Sequence, residues 1–309
     1  NFWSFIDNTP AGVSIHEINE NIDAGKIIAR KKIFFRLSKN TTFEDTYQIR
    51  TSDFKKYLKH SNKKLYLQQE KALEGLAEQM TYGSLLDWAN QSGSADLARL
   101  STEYLPLSFS RRHGDPSRPW NRFNIERYDQ EGERVLNYEG NWRDIFQNWE
   151  ALAYSYPRFI EGMILKFLNA STLDGYNPYR IEKEGIDWEI IEPHDPWSFI
   201  GYWGDHQIIY LFRLLEHCEA HYPGQLSGWL KDERFVYADV PYRQKSFAEI
   251  LADPQDTIDF DADQHRLTEE RFRHLGSDGK IVWEGENILR ANFAEKLLLP
   301  ALTAADKPA

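Results

Sequence analysis

The chain has 309 residues, 41% of them hydrophobic, enough for one large or two ordinary domains with a real core. A net charge of −11 argues against nucleic acid or an anionic membrane surface as the main partner. The single cysteine, Cys218, excludes an internal disulfide framework and fits a reducing cytoplasm, and the sequence shows no signal peptide and no apolar run long enough to span a bilayer.

The first segment reads as a small α/β fragment, residues 1–50. Val13-Ser-Ile-His-Glu-Ile18 alternates apolar and polar side chains, as a half-buried strand does. Asn21-Ile-Asp-Ala-Gly25 is a turn, and Ile27 to Phe35 is a second strand. Thr42 to Leu58 reads as a helix, with Thr41 or Thr42 as N-cap and Glu44-Asp45 in its first turn. Lysines from Lys55 to Lys64 then form a solvated helix end or linker, assigned to residues 51–66. Up to Leu65 there are 12 Lys and Arg against 7 Asp and Glu; the remainder carries 25 against 41. Two readings of this seam stand: a basic linker before an acidic domain, or two parts of separate origin.

From Leu67 the pattern becomes helices separated by loops rich in Gly, Pro and Asp. Leu73, Leu76, Ala77 and Met80 mark one apolar face, and Leu97, Leu100 and Tyr104 the next. Trp142 to Tyr154 and Arg158 to Leu168 form a helix pair, with Pro157 at a helix start. Asp205 to His221 is a strong helix with Asp205 as its cap, and Phe272, Leu289 and Phe293 to Leu299 suggest further turns. The fold class expected is mostly α: an incomplete (α/α)-barrel-like helical domain over 67–309, preceded by the small α/β fragment. The Ala-rich tail, Ala301 to Ala309, arrives before a six-pair toroid closes, so uncovered apolar helix faces are expected.

Gly12-Val-Ser-Ile-His16 and Ile22-Asp23-Ala-Gly25-Lys-Ile-Ile28 resemble the formyltransferases that use a formyl-folate donor, over roughly Phe2 to Tyr47. By that resemblance Asp23 is the carboxylate that orients and charges the family's histidine during attack on the formyl carbon, with formyl-tetrahydrofolate as donor. The family's Asn-x-His element has no counterpart in this sequence. The plainer reading of Asp23 is a turn-forming Asp before Gly, and of His16 a strand residue.

Arg143-Asp144-Ile-Phe-Gln147-Asn148 and Trp203-Gly-Asp205-His206-Gln-Ile-Ile-Tyr210 are similar to two elements of the cellobiose/chitobiose phosphorylases, over about Asn137 to Glu216. The longer stretch from Leu67 is also similar to large uncharacterised bacterial proteins, which supply no substrate. In the phosphorylases one element cradles the sugar and the other supplies the general acid. Asn148 stands where that family has Asp, and Asp205-His206 replaces its acidic pair. If the acid is the first of the pair its counterpart is Asp205; if the second, the position is held by His206.

Cleaving a glycosidic bond needs a carboxylic acid on the leaving oxygen, plus a second carboxylate to activate water or a bound phosphate as nucleophile. The main expectation is therefore a glycoside phosphorylase- or hydrolase-like segment acting on an oligosaccharide, with inorganic phosphate as co-substrate and no other cofactor. Asp205 is its acid; Arg143, Asp144, Gln147, Trp142, Trp203 and His206 bind sugar. Trp142, Trp188, Trp197 and Trp203 are candidate platforms for sugar rings. The alternatives for these residues are an N-cap at Asp205 and a helix-start ion pair at Arg143 and Asp144. No metal site is expected: Asp259, Asp261 and Asp263 mimic a calcium loop but Gln264 takes the place of its turn glycine, and His194 and His217 lack companions at ligand spacing. Arg111 to Arg122 is a polar loop that covers a ligand or fixes itself by ion pairs. Formyl transfer at Asp23, and a chain with no activity of its own, are the alternative functions.

Overall fold

The computed structural model describes residues 11–16, 27–33, 47–107, 128, 130, 132, 136–177, 180–188, 190, 194 and 207–306. Contacts divide the chain into two compact units between Thr46 and Tyr47. In the first, β1 (Ala11–His16) and β2 (Ile27–Ile33) pair antiparallel, with Ala11 opposite Ile33 and a register irregularity between Ile15 and His16. These are the two strands expected from the alternation of residues 13–18 and the Ile-rich run from 27. Asp23 and the N-cap candidates Thr41 and Thr42 lie outside the described residues.

The second unit is mostly helical. It opens with β3 (Gln48–Arg50), α1 (Thr51–Ser61) and α2 (Lys63–Glu74), then β4 (Gln79–Thr81), α3 (Tyr82–Gln91) and α4 (Ala95–Glu103). The helix expected from Thr42 begins at Thr51 instead. Gln48–Arg50 is drawn into an antiparallel ladder with Gln79–Thr81, and Ile49, alternating with exposed Gln48 and Arg50, is buried at its centre. Leu76, Ala77 and Met80 likewise leave the helical face assigned to them: α2 stops at Glu74, and Met80 belongs to β4. Asn62 alone joins α1 to α2. Its extended backbone breaks the helix while its side chain accepts from Leu65 N at 2.9 Å and caps the next one. Thr81 and Ser94 cap α3 and α4 in the same way. Residues 51–66, read as linker or seam, are thus helical, and Phe54, Tyr57 and Leu58 lie in the main core.

Next come β5 (Glu139–Asn141), α5 (Trp142–Ser155), a 3-10 turn over Pro157–Phe159, and α6 (Ile160–Asn169). Pro157 starts its turn, where its missing N–H has no helical partner to lose. Helix α6 is buried at nearly every position, Lys166 and Asn169 included, and forms the centre of the core. Strands β6 (Arg180–Glu182) and β7 (Ile186–Asp187) extend β5 into a small antiparallel sheet. Helix α7 (Gln207–His221) packs on both α5 and α6. Along α5 and α7, Phe146 stacks on Tyr210 at 4.7 Å, Glu150 meets Arg213 at 3.6 Å, and Tyr154 meets His217 at 4.7 Å. The partner numbers rise together, so α5 and α7 run parallel and their N-termini share one end.

The rest is α8 (Gln225–Trp229), β8 (Phe235–Val236), β9 (Tyr242–Gln244), α9 (Phe247–Ala252), β10 (Ile258–Phe260), α10 (Ala262–Leu275), β11 (Trp283–Glu284), β12 (Asn287–Ile288), β13 (Arg290–Ala291) and α11 (Phe293–Asp306). Asp259 lies in β10, and Asp261 caps α10 through Gln264 N while pairing with Arg243. These carboxylates therefore belong to a strand and a helix start, and the cap lowers the Asp261 pKa by stabilising its charge. Leu289 falls between β12 and β13 rather than on a helix. On α11, Leu297, Leu298 and Leu302 are exposed. No helix among the described residues is long and apolar enough to cross a membrane.

Candidate functional site

Two polar features sit inside the helical unit, and the first is a buried charge network. Arg99 on α4 donates to Asp278 at 2.7 Å and to Glu103, one helical turn on, at 3.2 Å. Asp278 also accepts from Asn62, and Glu103 from Asn169, whose own oxygen accepts from Val236 N at 3.0 Å. This chain ties the α1–α2 junction, α4, α6 and β8 to one another. Burial works against the Arg99 charge, but Asp278, Glu103 and Asp96 outweigh it and hold the guanidinium above its ordinary range. Beside the network, Lys166 donates to the carbonyls of Glu182 and Lys183, and burial pushes its pKa down to about 8. The cavity between these groups measures about 30 Å³, room for roughly two waters. Its charged groups are turned on each other, so the arrangement fixes the fold rather than presenting a reactive pair.

The second feature is an open cavity of about 110 Å³, lined among the described residues by Asp174, Gly175, Tyr176, Tyr242, Gln244 and Ile258. Its floor is the turn after α6. Thr172 N donates to Tyr176 O at 2.8 Å, and Thr172 Oγ1 holds Asp174 Oδ1 at 2.5 Å. Gly175 takes φ +87°, a left-handed conformation, and a Cβ there would meet Pro300 of α11 at 2.7 Å, so only glycine fits. The wall is the β9–β10 ladder, in which Ile258 stands opposite Gln244. Tyr176 and Tyr242 meet edge to face at 5.5 Å. Behind them Phe260, His265 and Trp188 continue a row of rings, and the Trp188 N–H donates to His265 Nδ1 at 3.2 Å.

The residues expected to bind sugar relate to this cavity through the start of α5. Arg143, Asp144 and Gln147 occupy the first two turns of α5. Trp142, the first residue of that helix, donates its indole N–H to Asn177, next in the chain to Tyr176. Trp142 itself is a wall of the core and not an open platform: it is 3% exposed, packed by Phe167 at 4.7 Å and Trp149 at 6.0 Å. Trp188 is similarly enclosed at 5% exposure, with the Lys280 ammonium 4.8 Å from its ring. Asp205, His206, Trp203, Trp197 and the loop Arg111 to Arg122 lie outside the described residues. Helix α7 starts at Gln207, two residues after Asp205, and its first turns lie beside those of α5. Among the described residues no group of three His, Cys, Asp or Glu could hold a metal ion. The cavity residues were missed in the sequence because Asp174-Gly-Tyr-Asn177 reads simply as a turn; only its Tyr, unusual for a turn, hinted at a binding surface.

The fold defines a helical protein with short antiparallel ladders and a small cavity of mixed aromatic and polar lining. Comparison with known families narrows this for one part: residues 43–106 match the model of glycoside hydrolase family 149 insertion domain 1. That span covers β3 to α4 and ends at Pro106, which accepts from the hydroxyl of Tyr47, so the matched segment closes on itself. No curated protein matches the chain. The match lends no support to the formyl-transfer reading, which rests on the motifs around Asp23 alone.

Proposed function

We propose that the helical unit is a carbohydrate-active segment, glycoside phosphorylase- or hydrolase-like, acting on a glycosidic bond. The observation that carries this reading is the match of residues 43–106 to an insertion domain of a glycoside hydrolase family. The matched block packs against α6, the helix that lies in the chain between the two bearing the second set of motifs: Asn169 of α6 bonds Glu103 of α4. The parallel course of α5 and α7 supports the assignment of roles. It brings the segment Arg143 to Gln147 and the chain just after Asp205 to one end of a helical layer, with α6 packed on α7. Alternating helices of this kind are the repeating unit of an α/α toroid.

In this reading Asp205 protonates the leaving oxygen, and water or inorganic phosphate attacks the anomeric carbon. Arg143 and Asp144 grip vicinal hydroxyls with paired donors and acceptors, aided by Gln147, His206 and Trp203. Incubating the full chain with an oligosaccharide panel, with and without inorganic phosphate, tests the reading. Release of sugar or sugar phosphate that falls about 10²–10⁴-fold in Asp205→Asn supports it. Turnover that survives this substitution removes Asp205 from the role, and no turnover of any glycoside overturns the reading.

A further inference from the structure

We propose that the outer face of α10 is an interface between two copies of this chain, the two helices lying antiparallel about a twofold axis level with Thr268. The inference stands apart from the glycosidic reading and draws on none of its residues.

Helix α10 encloses Thr268 on its inner side, whereas Asp263, Arg266, Leu267, Glu270, Arg273 and His274 are exposed. With 3.6 residues per turn these six share about one third of the helix circumference. Their charges alternate along the face: Asp263 negative, Arg266 positive, Glu270 negative, Arg273 positive. Read from the other end, the same row has every sign inverted. Asp263 and Arg273 stand five residues either side of Thr268, about 7.5 Å along the axis, and Arg266 and Glu270 stand two either side, about 3 Å.

An antiparallel copy therefore sets Asp263 against the partner's Arg273 and Arg266 against the partner's Glu270, each pair occurring twice by symmetry. Leu267, 52% exposed, lies one residue from the axis, where it meets the partner's Leu267. The opposed helix dipoles also attract. A parallel pairing would set like charges side by side, and a polyanion or an anionic membrane would meet two carboxylates for every two guanidiniums. The face is complementary to itself and to little else.

Within one chain the pattern is largely unused. Asp263 and Arg266 pair at 3.2 Å while both remain exposed. Glu270 is one turn from Arg266 and one from His274 yet pairs with neither, and Arg273 has no carboxylate partner among the described residues. The polarity continues beyond the helix. Lys63 reaches the Arg273 carbonyl at 2.7 Å and, with exposed Lys64, extends the basic end; Asp259, 66% exposed, extends the acidic one. The antiparallel arrangement brings each basic end beside the partner's acidic end. A contact of this size and polarity is weak and sensitive to salt.

Sedimentation equilibrium of the full chain tests the proposal. A dimer is expected at about 100 μM protein in low salt, with its dissociation constant raised at least about tenfold near 1 M salt, where the Debye length is about 3 Å. Arg266→Glu with Arg273→Glu makes the face wholly acidic, and Asp263→Lys with Glu270→Lys makes it wholly basic. All four positions are exposed, so thermal unfolding should show both variants folded. Each is expected to be monomeric alone, and an equal mixture of the two to recover the dimer. A monomeric wild type would overturn the proposal, as would association that survives in both variants or a mixture that fails to pair. The register has its own check, since Cys218 is buried and leaves an introduced thiol to act alone. Mild oxidation with diamide should link Leu267→Cys into a disulfide dimer and leave Asp263→Cys, about 15 Å from its symmetry mate along the axis, unlinked. Equal linking of the two would overturn the antiparallel register.

Discussion

Arg99 is the residue on which the interior depends most, because two buried carboxylates face it. Replacing it with methionine keeps the volume and leaves Asp278 and Glu103 in the core without their counter-charge. Loss of one partner of a buried pair costs about 3–5 kcal/mol, so Arg99→Met should lower the urea midpoint sharply. Adding Asp278→Leu should recover part of that loss, since the orphaned charge goes with it; no recovery would mean the guanidinium matters for shape alone. Lys166 carries a pH signature. Burial lowers its pKa from 10.5 to about 8, so the folded state disfavours its charge. Below pH 8 the ammonium is charged in both states and the penalty, about 3 kcal/mol, is fully present. Between about 8 and 10.5 the folded state has released the proton and the unfolded state has not, so stability rises with pH. Unfolding free energies of the wild type and Lys166→Met should therefore diverge in favour of the wild type across that window; a constant gap would show that the ammonium is solvated. Of this network the sequence showed only the i, i+4 spacing of Arg99 and Glu103. Asp278 is 179 residues from Arg99, and no local pattern announces a partner that far away.

At the scale of elements, helix α6 meets the end of α4 closely enough to exclude a side chain. A Cβ on Gly162 would stand 2.2 Å from the Thr102 carbonyl and 3.0 Å from Leu105, and that carbonyl is already held by the Tyr82 hydroxyl at 2.9 Å. Gly162→Ala gains helix propensity of about 1 kcal/mol yet must push two helices apart. A net destabilisation of about 1–3 kcal/mol is expected by thermal unfolding, and a variant as stable as the wild type would show that the contact gives way freely. Helices of this strength were legible from periodicity: the run Ile160-Glu-Gly-Met-Ile-Leu-Lys-Phe-Leu168 can be little else, and Leu97, Leu100 and Tyr104 fell on one buried face. Short strands were not legible. Gln48–Arg50 has no alternation of its own beyond Ile49, and it is a strand because Gln79–Thr81, on the far side of two helices, completes its hydrogen bonds. The open cavity belongs with these unread features, since it forms where a turn and two such strands meet.

For the whole molecule, composition placed a seam near residue 65, whereas the contacts place a division between Thr46 and Tyr47. The two differ because charge reports the exposed faces of helices. Lys56 and Lys59 point to solvent from α1, while Phe54, Tyr57 and Leu58 on its other face enter the common core. The lysine-rich stretch is thus basic outside and continuous with the acidic remainder inside. A chain beginning at Tyr47 keeps that core intact, including the edge-to-face contacts of Tyr47 with Tyr156 and Phe159 and its hydroxyl bond to Pro106. A chain beginning at Thr51 loses those contacts, the β3–β4 ladder and the burial of Ile49, which alone amounts to about 1.5–3 kcal/mol. Circular dichroism and urea unfolding of the two truncations should separate them: the 47–309 chain is expected to unfold in the main transition of the full protein, and the 51–309 chain at least about 2 kcal/mol earlier. Equal stability of the two would mean that the ladder is an ornament of the fold, and collapse of both would mean that residues 1–46 are needed to complete it.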